Sequence, residues 1–207
     1  HVDDLVITAQ KKGGTKEVID SLKLHFEKVT SETGQVINYL GQNFKFVEQG
    51  GIEVTMDKMS RAIINDAIES DIIKQIPNTR IKTPGADTLY DVNEETPKLS
   101  KKDADVFHSF VARMLYLCKR IRPDILTTVS FLCTRVTKST QEDMYKLSRC
   151  IEYLRNSFEE GRRGVVVKTT RKDLNVEAYI DAAYGTHIVN GKSQTGCCIT
   201  VGDARIF

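Results

Sequence analysis

Between Val106 and Phe158 the apolar residues recur three and four apart, and the pattern is broken only twice. Val106, Phe107, Phe110, Val111, Met114, Leu115 and Cys118 form one stripe. Arg122-Pro123-Asp124 interrupts it, and Pro123 suits the first turn of a second helix. Ile125, Leu126, Val129, Leu132, Cys133 and Val136 form the second stripe. Ser139 with Glu142 fits a capping box for a third. Its seam runs through Met144, Leu147, Ile151, Leu154 and Phe158, and Gly161 ends it. Each stripe must be buried, and breaks this short make successive helices neighbours. The spacing predicts a compact helical bundle, around which the rest of the chain is arranged.

Either side of that block the period changes. Leu5, Val6 and Ile7 are branched aliphatics that read as a strand, in a β-hairpin whose tip presents Asp3 and Asp4. Gly13-Gly14 breaks it. Thr15 then caps a helix to about Val29, with Val18, Ile19, Leu22, Phe26 and Val29 facing a core. Three short strands follow, Val36 to Leu40, Phe44 to Val47 and Ile52 to Thr55, with a turn at Gly50-Gly51. A helix from Asp57 to about Ile76 is stopped by Pro77. Residues 77–104 show almost no periodicity and read as a long connecting loop at a subdomain boundary. Strands return at Val165 to Val167, Val176 to Ile180 and Gly196 to Val201. The fold class is α+β.

The 207 residues suffice for one large domain or two small ones. A formal net charge of +2 excludes a strong global field. Charge is concentrated, however, between Lys101 and Arg163, where 13 Lys and Arg stand against 8 Asp and Glu. That excess fits either a phosphate backbone or a set of solvated helix faces. The five cysteines lack metal-type spacing and read as reduced core thiols, which points to an intracellular protein in a compartment the sequence does not specify. No apolar run approaches membrane-spanning length and no signal peptide opens the chain, so membrane insertion is not expected. His1 falls mid-strand and Phe207 in another strand, so a piece of a longer protein is expected.

Two acidic features invite chemistry. Asp3 and Asp4 are adjacent carboxylates, which repel and call for a cation or a water-exposed turn. A solvated turn is the plain alternative. Asp181 follows a strand, where a loop carboxylate is the default reading.

Taken in order, these segments resemble the polymerase protein of copia-type retrotransposons. His1-Val2-Asp3-Asp4 is similar to that family's Tyr-Val-Asp-Asp motif, and Asn38-Tyr39-Leu40-Gly41 to its Tyr-x-Leu-Gly segment. Ile81-Lys82-Thr83-Pro84 is similar to its Thr-Pro linker. The run from Phe110 to Leu117 with Arg122-Pro123-Asp124-Ile125 is similar to its Val-Gly-x-Leu-x-Tyr-Leu and Arg-Pro-Asp-Ile block. Tyr179-Ile180-Asp181-Ala182 and Lys192-Ser193-Gln194-Thr195-Gly196 are similar to its Ser-Asp-Ala and Lys-Ser-x-Ser-Gly pair. Shared order across nearly the whole chain makes the resemblance specific.

The resemblance implies a reverse-transcriptase palm remnant at 1–57 and thumb or connection helices at 58–160, with the linker 77–104. It implies the opening strands of a ribonuclease H-like sheet at 161–207. It implies that Asp3, Asp4 and Asp181 are catalytic carboxylates binding Mg2+ or Mn2+, two ions serving each in-line displacement. Tyr39 and Gly41 would lie beside the primer of a primer–template duplex, where glycine permits close approach. Lys119, Arg120, Arg122 and Arg135 would meet phosphates. For Arg122 an ion pair or helix cap is the alternative, and for Tyr39 ordinary strand packing. His1 replaces the expected tyrosine. The upstream palm aspartate, the fingers and the downstream ribonuclease H acids have no counterparts in this sequence. The expectation is therefore a fragment of an RNA-directed DNA polymerase and ribonuclease H, inactive as an isolated chain. The alternatives are a retroelement-derived structural subunit that binds other protein subunits, and a plain nucleic-acid-binding remnant.

Overall fold

The computed structural model describes residues 4–9, 11, 13–47, 50–74, 80–168, 172, 174–187, 191–202 and 204–206. Among them are five α-helices and two antiparallel sheets, a mixed α+β fold. The order is α1 (Gly14–His25), β1 (Val36–Tyr39), β2 (Gln42–Val47), β3 (Gly51–Thr55), α2 (Asp57–Glu69), α3 (Lys101–Cys118), α4 (Leu126–Arg135), α5 (Gln141–Glu159), β4 (Gly164–Lys168), β5 (Val176–Ala183), β6 (Gln194–Val201) and β7 (Ala204–Arg205).

The core is the helical seam that the periodicity specifies. Phe107, Met114, Leu117, Ile125, Val129, Leu132, Leu147, Ile151 and Leu154 are all inaccessible to solvent, and α2 adds Ile63, Ile64 and Ala67. Burying side chains of this size contributes about 1.5–3 kcal/mol each, which makes this cluster the chief source of stability. Pro123 opens a 3-10 turn that leads into α4, as expected. The cap of α5 differs by one residue from the sequence expectation. Thr140, not Ser139, is the N-cap, and it exchanges hydrogen bonds with Asp143. Thr140 has the extended backbone that a cap needs, and Asp143 is the acid that Arg135 also grips. At the other end Gly161 has φ 91, and the amides of Gly161 and Arg162 return to Phe158 and Ser157. That double closure is the Schellman arrangement, which needs a left-handed residue.

The same closure ends α2 well before the expected Ile76. Asp71 takes φ 54, its amide bonds to the Ile68 carbonyl and that of Ile72 to Ala67. Aspartate tolerates the left-handed region better than most residues. Ile73 then turns into the core. Pro77, the expected stop, lies outside the described residues.

The three-stranded meander forms as expected, with Ile37 opposite Phe44 and Phe44 opposite Val54. β4, assigned by the sequence reading to the third piece, pairs antiparallel with β3 and completes a four-stranded sheet ordered β1-β2-β3-β4. Strand periodicity tells which face of β4 is apolar but not which edge it joins. Gly164 makes the join possible: a Cβ there would lie 1.9 Å from the Val54 carbonyl oxygen.

The described part of the 77–104 loop is tied down along α5 rather than free. Arg149 donates to the Thr83 hydroxyl, Asn156 to the Ile81 carbonyl and Lys146 to the Asp91 carbonyl. Leu99 and Gln141 add main-chain bonds to Ser139 and Pro97, and Leu89 is buried. A segment without periodicity can still be ordered when long side chains from a neighbouring helix satisfy its carbonyls.

The second sheet, ordered β5-β6-β7, leaves most of its residues exposed. It meets the helical body through His187, whose ring stacks on Phe131 at 5.6 Å and meets Tyr90 edge-on at 5.8 Å. Two further expectations are corrected. Residues 4–9 belong to no strand, and Leu5 and Val6 are exposed, so the described part of the opening segment does not form the expected hairpin. α1 ends at His25 rather than near Val29, and none of its residues is buried. Its N-cap is Gly13, without a side-chain cap bond, rather than Thr15. Amphipathic spacing specifies an available face, not a partner to cover it. Among the described residues no helix is long and apolar enough to cross a membrane.

Candidate nucleic-acid interface

The turn between β1 and β2 is two residues long, Leu40 and Gly41, with Tyr39 paired to Gln42. Both central residues have positive φ, 50 for Leu40 and 76 for Gly41, as type I′ hairpin turns require. Gly41 adopts this freely. Leu40 does not: the left-handed region costs a residue with a Cβ about 1–2 kcal/mol. A strained residue persists where its surroundings hold it. Here the holder is Tyr116, near the end of α3, whose hydroxyl donates to the Leu40 carbonyl at 3.0 Å.

Tyr116 is also the platform for a cation. The Arg120 guanidinium lies 3.4 Å from the centre of its ring and donates to its carbonyl at 3.1 Å. Lys119 beside it is exposed. Tyr39 is half-buried, its ring 6.5 Å from that of Phe44, with its hydroxyl 3.5 Å from the Asp4 carbonyl oxygen. The Tyr116 bond thus gathers Tyr39, Gly41, Lys119 and Arg120 at one junction of sheet and helix. Tyr116 was absent from the sequence-based site. Its signal was an aromatic residue off the buried stripe at a helix end, with a polar tip in search of an acceptor.

Arg122 and Arg135 are not part of this surface, which corrects their expected role. Arg122 is 1% exposed and closes a fork on Asp124, at 2.9 and 2.8 Å. It also donates to the Ser157 hydroxyl at 2.7 Å. Tyr153 donates its hydroxyl to Asp124 at 2.9 Å. Burial alone would raise the Asp124 carboxyl, but the hydrogen bonds and charge of Arg122, with the Tyr153 bond, hold it below the usual value. Burial and then the Asp124 bond push Tyr153 up. Arg135 is also buried, with its Nε between both Asp143 oxygens at 3.0 and 3.2 Å. Both arginines knit helices together. A buried, paired guanidinium has no face left for phosphate.

The acidic residues do not come together as two-metal chemistry needs. Asp3 lies outside the described residues. Asp4 is exposed and outside any strand. Asp181 lies inside β5 rather than at its end, paired with Gly196, and accepts the adjacent Ala182 amide on its Oδ1 at 3.0 Å. Among the described residues no three His, Cys, Asp or Glu side chains converge. A donor set for Mg2+ or Mn2+ is therefore not assembled among the described residues. Of the thiols, Cys118 and Cys150 are buried but Cys197 is exposed, against the expectation that all are core residues. Burial, followed by the neighbouring Cys133, pushes the Cys118 thiol up to about 12, so it is inert at neutral pH.

The junction sets the main chain of a tight turn beside two basic side chains. Main-chain groups at a tight turn can approach a backbone closely, and the exposed Lys119 beside the half-buried Arg120 places positive charge next to the turn.

No family model matches the chain. An uncharacterized mitochondrial protein of Arabidopsis thaliana is 25% identical over 202 residues, covering 98% of this chain and 77% of that protein. No solved structure matches.

Proposed function

We propose that this chain is part of an RNA-directed DNA polymerase and ribonuclease H of copia type, and that it holds a primer–template duplex without performing catalysis by itself. The observation that carries the reading is the locked turn at Leu40-Gly41. The segment similar to the family's primer-side motif is strained and pinned by Tyr116, next to Arg120 and the exposed Lys119. The three-stranded antiparallel order β5-β6-β7, with Asp181 on the first strand, supports a ribonuclease H-like third piece. The helices that follow the meander support a thumb-like second piece.

Fluorescence anisotropy with a labelled primer–template duplex tests the proposal. Binding is expected to weaken with salt, and Lys119→Ala with Arg120→Ala to lower both affinity and salt slope. Duplex binding unchanged by that pair of substitutions would refute it. Incubation of the same samples with deoxynucleotides and Mg2+ or Mn2+ is expected to give neither primer extension nor cleavage of an RNA–DNA hybrid.

A second reading, a retroelement-derived structural subunit without catalysis, is favoured by one observation. Val176, Tyr179, Ile180 and Tyr184 are all largely exposed along β5 and its turn. Absence of duplex binding, together with co-purification of a stoichiometric partner lost on Ile180→Lys, would decide for it.

A further inference from the structure

A cleft of about 300 Å³ opens between α2 and α5, built from residues other than those of the duplex-holding junction. Its floor is apolar, with Phe158 almost wholly buried. Its polar lining is strongly one-sided. Arg61 enters from α2, Arg155 from α5 and Arg163 from the lead into β4, joined by Asn65. The one carboxylate among the lining residues is Glu159, exposed on the last turn of α5.

Two of these cations converge on one ring. The Arg61 guanidinium lies 4.9 Å from the centre of Phe158, and that of Arg163 lies 5.3 Å from it. Each is attracted to the ring, but the two repel one another. Arg163 is partly offset by Asp57 at 3.5 Å. Arg155 is buried, paired with Glu152 and donating to the Lys74 carbonyl at 2.6 Å. Arg61 makes no ion pair among the described residues. The partial negative charge at the end of α5 answers some of this excess. It does not explain why the charges surround a space rather than cover the helix end.

We propose that this cleft binds a phosphate group, either free or carried on a polynucleotide backbone. A tetrahedral oxyanion between Arg61 and Arg163 would accept from both, relieve their repulsion, and reach Asn65 as a neutral donor. Guanidinium forks suit such oxygens. Glu159 opposes the anion and sets the affinity from the rim.

Calorimetric titration with inorganic phosphate, against chloride at matched ionic strength, tests the proposal. Saturable binding is expected for phosphate alone. Arg61→Gln, an exposed position whose substitution leaves the core intact, is expected to weaken it about tenfold. Glu159→Gln is expected to tighten it. Lys119→Ala with Arg120→Ala should leave phosphate affinity unchanged, which separates this site from the duplex-holding junction. A DNA oligonucleotide that competes with phosphate, and loses affinity on Arg61→Gln, would identify the backbone as the source; failure to compete would identify a free phosphate group. No saturable phosphate binding, or binding indifferent to both Arg61→Gln and Glu159→Gln, would overturn the proposal and leave the arginines as partners of the helix end.

Discussion

The Tyr116 hydroxyl donates to the carbonyl of Leu40, a residue held at φ 50, and so joins the end of α3 to the first hairpin of the sheet. A hydrogen bond of this kind contributes about 0.5–1.5 kcal/mol. The strain it restrains is of similar size. The pair is therefore nearly balanced for stability and is better understood as positioning. Tyr116→Phe should cost about 1 kcal/mol in urea denaturation and weaken duplex binding. Leu40→Gly should relieve the strain, leaving stability unchanged or higher by up to about 1 kcal/mol, while loosening the turn and also weakening duplex binding. A Leu40→Gly protein that is less stable yet binds duplex as tightly as the parent would contradict this account.

Asp124 contributes stability to the helical body that acid should remove. Its carboxyl is held below the usual value by Arg122 and Tyr153 despite burial. A carboxylate whose folded pKa is depressed stabilises the fold above the unfolded value, near about 3.9 for aspartate, and that stabilisation is lost as pH falls through the folded value. Stability should thus decline on acidification below about pH 4. Asp124→Asn should flatten that limb. At neutral pH it should also destabilise the fold by about 3 kcal/mol, because Arg122 stays buried without its counter-charge. Denaturation midpoints measured from pH 7 down to pH 3 check both effects. Parallel pH profiles for parent and variant would show that the pair does not govern acid stability.

The thiols offer a direct check of the packing. Cys118 and Cys150 are buried and their pKa values are raised, whereas Cys197 is exposed on β6. Thiolate is the reactive form, so labelling at pH 8 should modify Cys197 rapidly and leave Cys118 and Cys150 protected until denaturant is added. Mass spectrometry of labelled peptides would read this out. Early modification of Cys150 in the native protein would mean that α5 does not pack into the helical core.

The helical seam was legible from residue spacing alone because burial of one stripe per helix leaves a period in the sequence. What spacing could not carry was partnership at long range. Val165 and Val167 announced a strand, yet its place beside β3 depends on Gly164 fitting against Val54, which no local pattern encodes. For Arg122 the alternative of an ion pair beside Pro123 is the one the structure shows, whereas Arg135 read as a surface cation because arginine usually is one. Their burial follows from Asp124 and Asp143 lying within reach after folding. The end of α2 was missed because Asp71, not a proline or glycine, takes the left-handed turn. Gly41 was legible as a turn residue because glycine takes positive φ freely. Tyr116 was missed because its role depends on a carbonyl of another element.

His187, just after β5, packs against the helical body. Its ring stacks on Phe131 with an interplanar angle of 28° and meets Tyr90 at 66°. Phe131 and Tyr90 also lie 5.5 Å apart, edge to face, so the imidazole completes a three-ring cluster. The Lys146 ammonium lies 5.2 Å from the Phe131 ring centre. Aromatic pairs of this geometry contribute about 0.5–1.5 kcal/mol beyond the area they bury. His187→Ala should therefore loosen the sheet where it meets the helices without unfolding the body, while β7 keeps its contact with β4. Hydrogen exchange should accelerate across β5 and β6, while amides of α3 and α5 keep their protection, since local opening requires only the loss of local contacts. His187→Phe should restore most of the protection because it keeps the ring. Equal acceleration in α3 and α5 would mean that the sheet and the helices unfold as one unit, and unchanged exchange in β5 would mean that contacts other than this cluster hold the sheet in place.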